Sequence, residues 1–66
     1  MNEISALYWD IQDLKPQAED WKREAANPWS SPKFRLEALA IFGAFKDEIE
    51  YKDKILGSLL EANASN

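Results

Sequence analysis

The chain contains no cysteine and no histidine. It can therefore form neither disulfides nor a thiolate-bound metal site, and it lacks both the usual general base and the usual thiol nucleophile. Gly43 and Gly57 stand alone, so no glycine-rich loop can cradle a phosphate. We therefore predict that the protein is not an enzyme and binds no cofactor or metal.

A strong charge of one sign and a long apolar span are also missing. Twelve acidic and eight basic residues give a formal charge of −4, which leaves no basic patch and predicts no direct contact with nucleic acid. The longest apolar run, residues 38–45, is far shorter than the roughly 20 residues that span a bilayer. Met1-Asn2-Glu3-Ile4 lacks the features of a signal peptide, so we expect a cytoplasmic protein without a membrane partner.

The first half of the chain has helical periodicity, with Asn2 as a possible N-cap. Its apolar residues recur at spacings of three and four: Ile4, Leu7, Ile11, Leu14, Ala18, Trp21 and Ala25. Pro16 interrupts the pattern, because proline inside a helix removes one hydrogen bond and crowds the preceding turn. We predict helices over 3–14 and 16–26. A single helix kinked at Pro16 is the alternative, since the apolar phase continues past the proline.

The second half of the chain predicts one long helix over 32–61. Asn27-Pro28 ends the preceding helix, and Ser31 followed by Pro32 is a typical start signal. The tail from Ala62 is expected to fray. One face of this helix carries the main apolar set, which can pack on the N-terminal arm: Phe34, Ala38, Ile41, Phe42, Phe45, Ile49, Leu56, Leu59 and Leu60.

These elements predict an all-α fold in one small domain over residues 1–66. The short connector favours antiparallel neighbours, which gives either a helical hairpin or a three-helix arrangement with one long C-terminal helix. Trp29 lies in the connector between two prolines. We predict that it plugs the end of the bundle, because leaving a tryptophan exposed is costly.

A second apolar side of the long helix predicts self-association. Leu36, Leu39 and Gly43 lie away from the main apolar face, and Phe42 of that face is assigned to self-association together with them. The N-terminal arm could wrap round to cover them, but one short arm hardly covers two sides, and monomers rarely expose contiguous apolar patches. We therefore predict a two-fold homodimer in which two hairpins form a four-helix bundle through these four residues.

Trp9 is the predicted anchor for a partner protein. By helical geometry it lies away from the apolar face of the first arm, close to Asp10 and Asp13. Tryptophan is enriched at the centres of protein interfaces, so we assign partner binding to these three residues. A tryptophan that simply lies along the surface is the alternative.

Lys52 and the charged residues around it form the remaining polar feature. Lys52 falls within the apolar face, where lysine usually buries its stem and keeps its ammonium in water, and Glu48 is a ready partner four residues earlier. Recognition of an anionic ligand by Lys52 is the less favoured interpretation. A magnesium site at Asp47, Glu50 and Asp53 is weaker still, because neighbouring lysines compete for those carboxylates.

The connector bears a limited resemblance to known helical hairpins. Asn27-Pro28 with Pro32 is similar to the connector of type III secretion needle subunits, and Trp29-Ser30-Ser31 is similar to the turn of the small secreted WXG proteins but lacks its glycine. We predict a non-enzymatic inhibitor, adaptor or regulator of another protein, of the kind found among phage accessory proteins. The alternatives are a chaperone-like hairpin that sheathes a partner helix, as in secretion assemblies, and a magnesium-dependent hydrolase.

Overall fold

A computed structural model describes residues 3–64 of the chain. Two helices account for nearly all of them: α1 spans Glu3–Ala26 and α2 spans Pro32–Ala64, with no strand in this range. The prediction of an all-α fold is confirmed, whereas the three-helix alternative is wrong. Neither helix of the described part is long and apolar enough to cross a membrane.

The split of the N-terminal arm at Pro16 is wrong, because α1 continues through this residue. A proline in a helix interior costs about 3 kcal/mol, mainly through the hydrogen bond that the carbonyl four residues earlier cannot make. Ile11 and Ala18 lie on either side of Pro16 and are both buried. Burial of this continuous apolar face offsets the cost. Next to Pro16, the Asp13 carbonyl accepts a hydrogen bond from Gln17 Nε2 at 3.0 Å.

The connector 27–31 is a hydrogen-bonded turn that leaves Trp29 in solvent. The backbone N–H of Trp29 donates to Asn27 Oδ1 at 3.0 Å, and the backbone N–H of Ser30 donates to the Asn27 carbonyl at 3.3 Å. Trp29 is 93% exposed, so the prediction that it plugs the end of the bundle is wrong. The turn fixes the backbone, and no third element of the described chain lies above the hairpin end to receive the indole.

The predicted start of α2 is confirmed. Ser31 Oγ accepts a hydrogen bond from the Phe34 backbone N–H at 3.2 Å, and Pro32 is the first helical residue. The helix continues to Ala64, three residues past the predicted end, and Asn63 Nδ2 donates to the Leu59 carbonyl at 3.0 Å in this last turn. The predicted N-cap at Asn2 lies outside the described residues.

The core of the hairpin is thin and runs along the contact between α1 and α2. Among residues 3–64, the fully buried apolar residues are Ile11, Ala18 and Ala38. The other predicted core residues divide into a half-buried set (Ile4, Leu7, Leu14, Trp21, Ala25, Phe42, Phe45, Ile49, Leu56 and Leu59) and an exposed set (Phe34, Ile41 and Leu60).

The molecule is a rod of 53 × 17 × 12 Å. Its Cα radius of gyration is 15.4 Å, whereas a compact domain of this length has a radius of about 11 Å. Two packed helices have only one contact surface, so most side chains keep at least one side towards solvent. This shape leaves large surfaces available for binding.

Candidate functional site

Lys52 joins the two helices by ion pairs. Its Nζ lies 3.3 Å from Glu48 Oε1 on the same helix and 3.6 Å from Asp10 Oδ2 on α1, and its side chain is 25% exposed. The hydrogen bond to the Glu48 carboxylate raises the pKa of Lys52, with a further contribution from Asp10. The predicted partnership with Glu48 is confirmed. The ammonium is already occupied by two carboxylates, which disfavours a role in binding an external anion.

One side of the hairpin carries a shallow apolar groove next to the connector. Leu36 and Leu39 are 69% and 55% exposed, as expected if α1 does not reach them. Together with Ala25, Pro32 and Arg35 they line a groove of about 350 Å³. Ala25 belongs to α1, so this groove lies along the boundary between the two helices.

A second groove of about 470 Å³ continues on the same side, further from the connector. Phe42, Ala18 and Ile49 form its apolar floor, and it is bordered by charged residues: Lys15, Glu19, Lys46 and Glu50. Leu39 and Phe42 are three residues apart on α2, so the two grooves follow one side of the helix. We call the combined surface the flank groove; from residue 32 to residue 50 it is about 27 Å long.

Gly43 lies between the two halves of the flank groove. A Cβ atom added at Gly43 would meet nothing within 4 Å, so packing against α1 does not require glycine at this position. Phe42 next to it is half-buried and contributes both to the contact with α1 and to the flank groove. Helical spacing therefore places the predicted self-association residues on one side of α2, with open space beyond Gly43.

Trp9 lies away from the flank groove and is 59% exposed. Its ring packs edge-to-face against Tyr8, with 5.2 Å between the ring centroids and 80° between the planes. Asp10 and Asp13 are also exposed, and the Asp10 carboxylate in addition pairs with Lys52. Sequence reasoning did not include Tyr8 in this patch, although a second aromatic residue directly before Trp9 could have indicated it.

The remaining acidic residues do not form a metal site. Within residues 3–64, no group of three or more Asp or Glu side chains is arranged to hold a metal ion, and this includes Asp47, Glu50 and Asp53. Residues three apart on a helix are neighbours on its surface, but their side chains diverge into solvent.

Comparison with known protein families, curated proteins and solved structures finds no match to this chain.

Proposed function

We propose that the protein is a non-enzymatic binding module that forms a homodimer through the flank groove and acts by occupying a surface of another protein. The observation that supports this most directly is the exposure of Leu36 and Leu39 beside a groove that α1 leaves open. Burying a leucine side chain contributes about 2 kcal/mol, so covering both leucines strongly favours association.

The surface area of the hairpin is consistent with one missing subunit. The chain exposes 5101 Å², whereas a compact monomer of 7.6 kDa exposes about 4300 Å². The excess of about 800 Å² equals the area that each partner buries in a standard protein interface. A second hairpin on the flank groove would give each helix neighbours on two sides, as in a four-helix bundle.

The aromatic pair Tyr8–Trp9 is the proposed site for the partner protein, with Asp13 at its edge. Trp9 lies away from the flank groove, so a dimer would keep the indoles of both copies accessible. An exposed tryptophan held by a neighbouring ring loses little side-chain freedom on binding, which suits an interface anchor. In this proposal the protein works as an inhibitor, adaptor or regulator, since it blocks or joins surfaces and carries out no chemistry.

Light scattering at micromolar concentration tests the dimer. The expected mass is twice that of one chain; a mass equal to one chain would refute the proposed homodimer.

The partner site is tested by capture from host lysate with three chains: the wild type, Trp9→Ala and Tyr51→Ala. Tyr51 serves as the control because it is an exposed aromatic residue on the other helix, α2. We expect Trp9→Ala alone to lose the captured protein while keeping its helicity; equal capture by all three chains would remove Trp9 from the site.

The flank groove also supports a second candidate function, in which a single hairpin sheathes a helix of another protein. A groove about 27 Å long accommodates roughly five turns of helix, which is the geometry of helix-in-groove recognition. This function predicts a monomer in solution that binds an amphipathic helical peptide, and Leu36→Gln would abolish that binding. A homodimer would instead have the groove filled by its own second copy.

A further inference from the structure

We infer that two copies of the chain pack antiparallel through the flank groove, with the two-fold axis beside residue 41 of α2, so that Leu39 of each copy lies over Gly43 of the other. This inference rests on the proposed homodimer and adds its direction and register. A two-fold dimer of hairpins can place the connectors at the same end or at opposite ends. Three features of the surface favour opposite ends.

The first feature is the pairing of a projecting residue with a depression. Leu39 stands 55% exposed, and one turn later Gly43 has open space where a side chain would be. In an antiparallel pair centred at residue 41, these two positions face each other twice, so each leucine fills the space left by a glycine. A parallel pair would place Leu39 against Leu39, which holds the two backbones apart, and one turn later the open space at Gly43 would face the same open space in the second copy, so packing contacts are lost.

The second feature is the charge along the border of the flank groove. A parallel two-fold places every residue opposite its own copy, so Lys15, Lys46 and Glu50 would each meet a like charge. The contact between Asp10 and Lys52 sets the register inside one hairpin, and it places residue 41 of α2 level with residue 21 of α1. In the antiparallel arrangement, Glu19 therefore lies within about one residue rise of Lys22 of the second copy.

The third feature is the exposed connector. Centring the pair at residue 41 brings residue 29 level with residue 53 of the second copy. By the same internal register, residue 53 is level with residue 9 of that copy's α1. The 93% exposed indole of Trp29 is thereby brought to the height of Tyr8, which is 46% exposed, while Trp9 lies away from the flank groove. A parallel dimer would leave the Trp29 indoles of both copies at one end, far from Tyr8.

Distances between spin labels on the two subunits test the direction. The chain has no cysteine, so Ala44→Cys and Ser58→Cys each create a single labelling site, and both positions are exposed on α2. In the antiparallel dimer, the axial offset between the two labels is about 9 Å at position 44 and about 51 Å at position 58. The measured separation should therefore be tens of ångströms longer for the second variant. Circular dichroism of each labelled variant checks that the helices are intact.

The possible outcomes separate this inference from the proposed homodimer. A dimeric mass with a much longer separation at position 58 supports the antiparallel register. A dimeric mass with similar separations at both positions would overturn the antiparallel register and leave the homodimer standing, because labels in a parallel pair differ only in lateral distance. A monomeric mass with no interaction between labels would overturn both.

Discussion

Lys52 of α2 and Asp10 of α1 approach to 3.6 Å although they are far apart in sequence. The pair lies in the half of the rod furthest from the connector, where loop geometry no longer fixes how the helices align. Apolar contacts between two helices tolerate a shift of one turn, whereas the ion pair between Lys52 and Asp10 favours the alignment that brings these two side chains together. We interpret Lys52 as the residue that holds the register of the hairpin.

The first prediction concerns the pH dependence of this contact. Because the pKa of Lys52 is raised in the folded state, its charged ammonium stabilises the fold. This stabilisation is fully present below the unfolded pKa of about 10.4 and is lost as the pH rises through the folded pKa. The difference in unfolding free energy between wild type and Lys52→Met should therefore be constant from pH 6 to about 9 and shift in favour of the variant above that. Urea titrations followed by circular dichroism measure it. Lys54→Met removes one lysine of α2 but keeps the contact between Lys52 and Asp10, and it serves as the matched control.

The second prediction concerns Pro16 inside α1. Replacing it with alanine restores the N–H that the Gln12 carbonyl lacks, so Pro16→Ala should stabilise the hairpin by up to about 3 kcal/mol and raise the melting temperature. Pro32→Ala is the control, because proline at the first helical position costs little. A fall in stability for Pro16→Ala would show that the packing of α1 depends on the shape that proline imposes.

The third prediction concerns Leu36 in the flank groove. Leu36→Gln should keep the helicity and weaken the dimer, because each buried leucine contributes about 2 kcal/mol and two-fold symmetry removes two of them. The dissociation constant should then rise by about three orders of magnitude, which sedimentation velocity over a dilution series can measure. Leu60→Gln is the matched control, since Leu60 is also more than half exposed. In the proposed antiparallel dimer it lies beyond the overlap of the two copies. Equal effects of the two substitutions would argue against a dimer through the flank groove.

The fourth prediction concerns the two glycines of α2. Gly43→Leu should dissociate the proposed antiparallel dimer, because the new side chain would occupy the space that this arrangement assigns to Leu39 of the second copy. Gly57→Leu should leave the dimer intact and stabilise α2 by about 0.8 kcal/mol through its higher helix propensity. At both positions the new Cβ atom would meet nothing within 4 Å in its own hairpin. Size-exclusion chromatography with thermal unfolding distinguishes them, and a dimeric Gly43→Leu would contradict the close approach at residue 43.

The regular part of this fold could be predicted from the sequence. Ser31 and Pro32 define the start of α2 through an oxygen acceptor and a fixed backbone angle, which are local effects. The spacing of Ile11 and Ala18 likewise identifies the buried side of α1, because both residues obey the helical period. The exposure of Leu36 and Leu39 was also predictable, because a single N-terminal helix can cover only one side of α2.

The features that sequence reasoning missed depend on competition between distant parts of the chain. Pro16 was assigned a helix break because its local cost is visible in the sequence, whereas the packing that offsets this cost comes from α2. Trp29 was assigned to the interior on its apolar character, but its position follows from the Asn27 turn and from the absence of a third described element above it. The direction of Asp10 towards Lys52 depends on the rotation of one helix against the other, which periodicity alone does not determine.

The rod is only 12 Å across in its thinnest direction, and this has a consequence for how it unfolds. Along residues 3–64 each helix is the only cover of the other within one chain, so fraying of α1 uncovers α2 at the same level. Neither helix can therefore open far while the other persists, and slow amide hydrogen exchange in both should converge on a single rate. The hairpin should behave as one cooperative unit, without a partially folded state in which one helix survives alone.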